Sequence, residues 1–301
     1  LIAGPTASGK SALAMQLARA GGAVINADSM QVYGVLEVVT ARPGEAETEG
    51  VPHHLFGHVD PREAYSVARW LDDVKSVLDG LCQNTMRPVF AGGTGLYFKA
   101  LLEGLSLIPP VDPEIRQSLR EAAKSDVSAL YRELEMMDPE SWRKIKPGDG
   151  QRIVRALEVV RSTGKPLSWW QIRDKGEGVL AGQNAIRIVL EPDRARLREK
   201  IAERFKTMME RGAIEETRAL LALDAAPELP AMRAIGVREI RAFIDGEISR
   251  DKAVELAITA TAQYAKRQST WFRNQFGADW HRFTDAEAAH AWISDQLQRA
   301  E

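Results

Sequence analysis

Cysteine is nearly absent: Cys82 is the only one in 301 residues. That excludes an internal disulfide framework and a multi-cysteine zinc site, and suits a reducing compartment. Long apolar runs are also missing. The longest are a few residues, against the ~20 that a membrane-crossing helix needs. No charged-then-apolar leader is seen, so the expected location is the cytoplasm, with no membrane partner. An excess of either charge is lacking too, since 40 Lys and Arg stand against 42 Asp and Glu for a net of −2. Composition alone therefore names no nucleic-acid partner, and no obligate protein partner is evident. With 27% charged and 45% hydrophobic residues, the chain is balanced as a globular protein and not as a disordered one.

What is present has an order. Leu1-Ile2-Ala3 is an apolar trio, followed by Gly4-Pro5-Thr6-Ala7-Ser8-Gly9-Lys10-Ser11 and then by Leu13, Ala14, Leu17 and Ala18 at helical spacing. Three residues make a short strand and no Met starts it, so a few residues are expected to precede Leu1. A second buried strand is expected at 23–27, ending at Asp28-Ser29. Ser66 is placed to cap a helix with apolar positions from Val67 to Leu81. A third strand at 88–91 closes on Gly92-Gly93-Thr94-Gly95, with a helix from Leu96. Alternating strands and helices predict a parallel sheet covered on both faces.

From Pro109 to about Gly182 the pattern is helical, with stretches at 113–123, 126–137 and 151–163 and no convincing strand. Ile186, Ile188 and Leu190 then alternate like a strand, and helices follow at 194–211, 214–223, 237–244 and 251–271. The expected fold class is α/β: a P-loop NTPase-like parallel sheet with an inserted helical domain. Its parts are 1–110, the insertion 111–184, and 185–301.

Gly4 to Ser11 fits G-x-x-x-x-G-K-[ST]. Its glycines let backbone N–H groups wrap a phosphate at a helix N-terminus, Lys10 adds positive charge, and Ser11 can ligate Mg2+. A chance match in a Gly-rich turn is the bland alternative, but the strand-to-helix context favours a phosphate or diphosphate site. Phosphate-hydrolysing proteins of this kind also carry an acidic residue at a strand end to hold Mg2+ and water. Here the strand 88–91 ends in glycines and Thr94. The best-placed carboxylate is Asp28, read either as a turn cap or as a base acting on a nucleophile other than water.

Taken together, Gly4–Ser11, Asp28-Ser29-Met30-Gln31-Val32-Tyr33, Thr40-Ala41-Arg42-Pro43 and Gly92-Gly93-Thr94-Gly95-Leu96-Tyr97 resemble the tRNA dimethylallyltransferases. The resemblance continues through Asp112-Pro113-Glu114-Ile115-Arg116, Asp149-Gly150-Gln151-Arg152 with Arg155-Ala156-Leu157-Glu158, Arg233-Ala234-Ile235-Gly236, and the run from Ala265 to Arg273. It implies transfer of a dimethylallyl group from dimethylallyl diphosphate to N6 of the adenosine beside the anticodon of tRNA, with Mg2+ as cofactor and release of diphosphate. It further implies that Gly4, Pro5, Thr6, Ala7, Ser8, Gly9, Lys10 and Ser11 bind diphosphate, with Ser11 on the metal. Asp28 is then the base, Thr94 lies in the reaction channel, and Arg238 is near the diphosphate. Asp28, Ser29, Met30, Gln31, Thr94, Arg116, Gln151, Arg152, Arg155, Arg233 and Arg238 are implied to contact tRNA. The chain departs from the family at Val35-Leu36-Glu37-Val38-Val39, where a glycine-bearing stretch is usual, and at Val237, where Tyr is usual.

Charge is uneven in one place. From Trp142 to Lys175 there are nine Lys and Arg against three Asp and Glu, a local +6 that leaves −8 for the rest. Arg152 and Arg155 share a helix face. A solvated face is the plain reading; interleaved Trp142, Trp169 and Trp170 and the family motif favour RNA, with Lys266, Arg267 and Arg273 as a second strip. An acceptor base must leave its stack, so a channel between core and insertion is expected. His53, His54 and His58 lack the partners of a metal site. Met136-Met137, Met208-Met209, Cys82 and Trp169-Trp170 are expected to pack. A P-loop kinase for a nucleoside or small metabolite, and a non-catalytic RNA-binding protein that senses nucleotide, stand as rivals.

Overall fold

Short runs of buried aliphatic residues form the strands, and the polar or glycine residues after them form the site. In the computed structural model, which describes residues 1–173 and 176–299, the strands are β1 (Ile2–Ala3), β2 (Gly22–Asn26), β3 (His53–His54), β4 (Arg87–Gly92), β5 (Ile188–Leu190) and β6 (His281–Phe283). They make one six-stranded sheet in the order β3-β2-β4-β1-β5-β6, parallel throughout. Parallel neighbours need crossovers, and the helices that supply them cover the sheet's faces.

The helices are α1 (Lys10–Ala18), α2 (Glu45–Thr48), α3 (Val67–Gln83), α4 (Gly95–Glu103), α5 (Pro113–Ser125), α6 (Val127–Met137), α7 (Pro139–Lys144), α8 (Gly150–Thr163), α9 (Leu167–Arg173), α10 (Arg194–Glu210), α11 (Ala213–Leu221), α12 (Val237–Ile244), α13 (Arg250–Gln275) and α14 (Ala286–Gln298). Ser66 does cap α3, its side chain accepting the Arg69 N–H. None among the described residues is long and apolar enough to cross a membrane.

The chain forms two compact units, Leu1–Leu101 with Gly182–Glu301, and Leu102–Ala181; the sequence pattern divides it at 111 and 184. In the first unit, Ile2, Leu13, Val24, Val89, Ile188 and Ile293 pack together around the sheet. A second core joins Tyr33, Leu36 and Val59 to Phe205, Met208, Val237 and Ile240. In the second unit, Leu119, Leu130, Leu134, Ile153 and Leu157 bring α5, α6 and α8 together. Among its described residues no strand occurs, as expected. Two of the quoted motifs are its helix starts. Asp112 accepts the Glu114 N–H at 2.8 Å with Pro113 in the first turn, and Asp149 accepts the Arg152 N–H at 3.2 Å.

Several expectations change. The histidine pair His53-His54 is an edge strand, and α7, α9, β6 and α14 lie where no element was expected. Cys82 is exposed and not packed. Met208 and Met209 are buried, whereas Met136 is exposed. Of the basic stretch, Asp174 and Lys175 lie outside the described residues.

Candidate active site

Three central strands end side by side, because the order β2-β4-β1 brings their C-terminal turns together on one edge of the sheet. After β1 comes the loop Gly4–Gly9. Gly4 donates its N–H to the Gly92 carbonyl at 3.3 Å. A Cβ on Gly4 would stand 2.6 Å from the Ser8 hydroxyl oxygen, so only glycine closes the loop this tightly. Ala7 and Gly9 are both left-handed, at φ 64° and 92°, which curls successive N–H groups inward. α1 then begins at Lys10 with no side-chain cap and no acidic residue in its first turn. Its N–H groups and positive dipole end are therefore open to an anion. The Ser8 hydroxyl is buried without a hydrogen-bond partner.

After β2 the chain turns on Asn26. This buried amide donates to the carbonyls of Asp28 and Leu55, each at 2.9 Å, and accepts the Asp28 N–H at 2.8 Å. Its own carbonyl accepts the Trp70 indole N–H. Asp28 is thereby fixed at the strand end. Its Oδ1 accepts the Met30 N–H at 3.0 Å, so Asp28 does cap a turn; no described residue donates a hydrogen bond to Oδ2. After β4, Thr94 donates its N–H to the Ala27 carbonyl, and its Oγ1 accepts the Ser29 N–H at 2.9 Å.

An arginine that no motif marked completes the cluster. Arg204, on α10, donates to the Thr6 hydroxyl. Burial lowers its pKa, and the nearby Asp28 charge opposes that shift. Lys10 feels the same crowding. Its pKa falls to about 8, chiefly through desolvation; Asp28 raises it and Arg204 lowers it. Two cations and one carboxylate thus face each other across the loop, a balance that favours a bound anion.

Thr6, Asp28, Ser29, Met30, Arg204 and Arg233 line a cavity of about 340 Å³, together with Val39, Thr40, Phe205, Tyr264 and Arg267. Lys10, Ser11 and Gln31 line a second hollow of about 190 Å³ with His53 and Phe56. Arg238 is exposed on α12 and lines neither. In the helical unit, Arg116, Arg120 and Arg155 surround the buried Glu158 at 3.5–3.8 Å. Arg152 pairs with Asp149, and 71% of its side chain is exposed; Gln151 is exposed. The edge of Trp170 meets Trp169, with Lys165 and Arg173 over the Trp169 ring at 5.7 and 5.9 Å. The unusual segment 35–39 is tied down: the N–H groups of Glu37, Val38 and Val39 all donate to the Glu216 carboxylate. Val237 is buried in the core.

This parallel sheet, with a glycine-rich loop leading into α1 and a carboxylate at the neighbouring strand end, defines a P-loop-like α/β protein. The chain matches the family described as IPP transferase over residues 31–275, and that described as isopentenyl transferase over residues 1–56. It belongs to the IPP transferase family and is a transferase. A tRNA dimethylallyltransferase of Sinorhizobium medicae is 52% identical over 290 residues, covering 96% of this chain and 95% of that one. One from Rhizobium meliloti is 51% identical with the same coverage. Among solved structures, the tRNA isopentenylpyrophosphate transferase of Bacillus halodurans is 32% identical at a TM-score of 0.68, covering 99% of this chain and 96% of that one. A eukaryotic dimethylallyltransferase acting on tRNA is 28% identical at 0.77, covering 99% and 76%.

Proposed function

We propose that this chain transfers a dimethylallyl group from dimethylallyl diphosphate to N6 of the adenosine beside the anticodon of tRNA. The observation that carries this reading is the shared cavity, lined by the Asp28 carboxylate, by Thr6 of the phosphate loop and by Arg204, which donates to the Thr6 hydroxyl. The lone pair of adenine N6 is delocalised into its ring and attacks poorly. As N6 bonds to the allylic carbon, the carbon–oxygen bond breaks and its electron pair leaves with diphosphate. The N6 proton passes to Asp28 Oδ2, the oxygen that caps nothing; such proton acceptance contributes about 10²–10⁴ in rate. The uncapped N–H groups at the start of α1, Lys10 and Arg204 stabilise the growing charge on the leaving diphosphate.

The residues also fit a divalent cation, with Mg2+ as the proposed ion. The Ser11 hydroxyl stands in the first turn of α1, exposed and with no hydrogen bond to the described residues. Mg2+ keeps several waters and takes few protein ligands beside phosphate oxygens. When bound, it neutralises charge on the departing diphosphate. Thr6, Ser8, Lys10 and Ser11 are the proposed diphosphate contacts, and Arg233 with Ser29 and Thr94 the proposed acceptor-side ones. The helical unit is proposed to hold tRNA, with Arg152 as its most available motif cation. A tRNA substrate and a single cysteine fit a cytoplasmic enzyme.

The test offers labelled dimethylallyl diphosphate with tRNA, and separately labelled ATP with nucleosides and small alcohols. Label is expected in tRNA from the first and in no acceptor from the second. Phosphoryl transfer without prenyl transfer would support the kinase reading instead.

A further inference from the structure

Gln268 is buried on α13, only 5% exposed, and has no part in the chemistry above. Its Oε1 accepts the N–H of Thr6 at 3.0 Å, and its Nε2 donates to the Gly93 carbonyl at 2.9 Å. Those two backbone groups belong to the turns after β1 and β4, the phosphate loop and the Thr94 turn. The approach is close enough to dictate the residue at 93. A Cβ there would stand 2.1 Å from Nε2 and 3.3 Å from Asp28 Oδ2. Gly93 is thus the spacer that lets one amide reach both turns while Asp28 lies just beyond. On the preceding turns of α13, Tyr264 and Thr261 line the Asp28 cavity; positions 261, 264 and 268 share one helix face.

We infer that Gln268 is a positioning residue for the transfer reaction: its amide fixes the spacing between the diphosphate-holding loop and the turn that carries Thr94 beside Asp28. This rests on the prenyl-transfer reading. The amide accepts from Thr6 through Oε1 and donates to Gly93 through Nε2 at once. An apolar side chain of similar size would leave both backbone groups unpaired. Misplacement of reacting groups by about 1 Å costs on the order of 10²-fold in rate. Gln268 lines neither the Asp28 cavity nor the Lys10 hollow, so the loss is expected on the chemical step more than on donor binding.

The experiment compares the wild type with Gln268→Met and Gln268→Leu, both close to Gln in size and unable to hydrogen-bond. Amide hydrogen exchange is measured in peptides covering residues 4–11 and 92–95, with pyrophosphate affinity and single-turnover transfer to tRNA. Exchange is expected to quicken in both segments of both variants, pyrophosphate affinity to stay within about threefold, and the transfer rate to fall on the order of 10²-fold. Unchanged exchange, or a change confined to one segment, would overturn the clamp. Transfer at the wild-type rate, or a rate loss matched by an equal loss of pyrophosphate affinity, would overturn its role in positioning. The exchange readout needs no turnover. A wild type that transfers nothing would therefore remove the prenyl-transfer reading, and with it the positioning role, while the clamp is still decided.

Discussion

The two oxygens of Asp28 are not equivalent, one capping a turn and the other being the proposed base. Turn cap and base are rival readings in the sequence, yet Oδ1 holds the Met30 N–H and Oδ2 faces Gly93 at the cavity. Asp28→Asn keeps an acceptor for Met30 and removes the base. Donor binding is expected to persist while single-turnover transfer falls about 10²–10⁴-fold; near-normal transfer would remove Asp28 from the role. Lys10 gives a pH prediction. Its pKa is depressed to about 8, so its positive charge is present below that pH and lost above it. Pyrophosphate affinity is expected to weaken between pH 7 and pH 9. Pyrophosphate itself titrates, so the readout is the ratio of wild-type to Lys10→Arg affinity, because arginine keeps its charge throughout. That ratio falls with rising pH; a flat ratio would put Lys10 away from the anion. Arg204 shows where sequence reading stops. It is one of several basic residues on the charged helix α10, and only the packing of that helix against Thr6 singles it out.

Among the elements, most of the longer ones, α14 apart, were legible because their apolar spacing runs over several turns. Helices α7 and α9 were not, at six and seven residues. Both are started by one buried side chain, Asp138, which takes the backbone N–H and hydroxyl of Ser141 and of Ser168. Sequence spacing cannot reveal a carboxylate that starts the helix beside it and also holds a serine 30 positions away. The edge strands β3 and β6 have two and three residues and no buried run. The segment 35–39 belongs to the same class: valines replaced the expected glycine, and a distant carboxylate holds the backbone. Glu216 on α11 takes three N–H groups there at 2.6–2.9 Å, and Gln31 adds hydrogen bonds to the carbonyls of Thr40 and Ala41. Glu216→Ala strands three donors and is expected to cost about 1–3 kcal/mol. Thermal unfolding reads it; an unshifted midpoint would mean the segment holds its shape without the carboxylate.

Over the whole molecule, charge is distributed by unit. The stretch from Trp142 to Lys175 is basic in an otherwise acidic chain, but its arginines are not equivalent. Arg155 helps neutralise the buried Glu158, whereas Arg152 meets only an exposed helix cap. Arg152→Ala is therefore expected to weaken tRNA binding and flatten its dependence on salt, with thermal stability unchanged. Arg155→Ala is expected to lower stability as well. Affinity at several salt concentrations, with an unfolding control, separates the two; an unaltered salt slope in Arg152→Ala would move the RNA contact elsewhere. The strand order has a consequence for biosynthesis. Because β4 lies between β1 and β2, the loop after β1 cannot take its place beside Asp28's turn until the chain has been made through β4, about ninety residues on. The Thr6 N–H then waits for a partner 262 positions downstream. Closing so long a loop is slow, since chain entropy is lost before any contact repays it. The spacing between the turns after β1 and β4 is thus among the last features a growing chain acquires, and it is fixed only once α13 has been made.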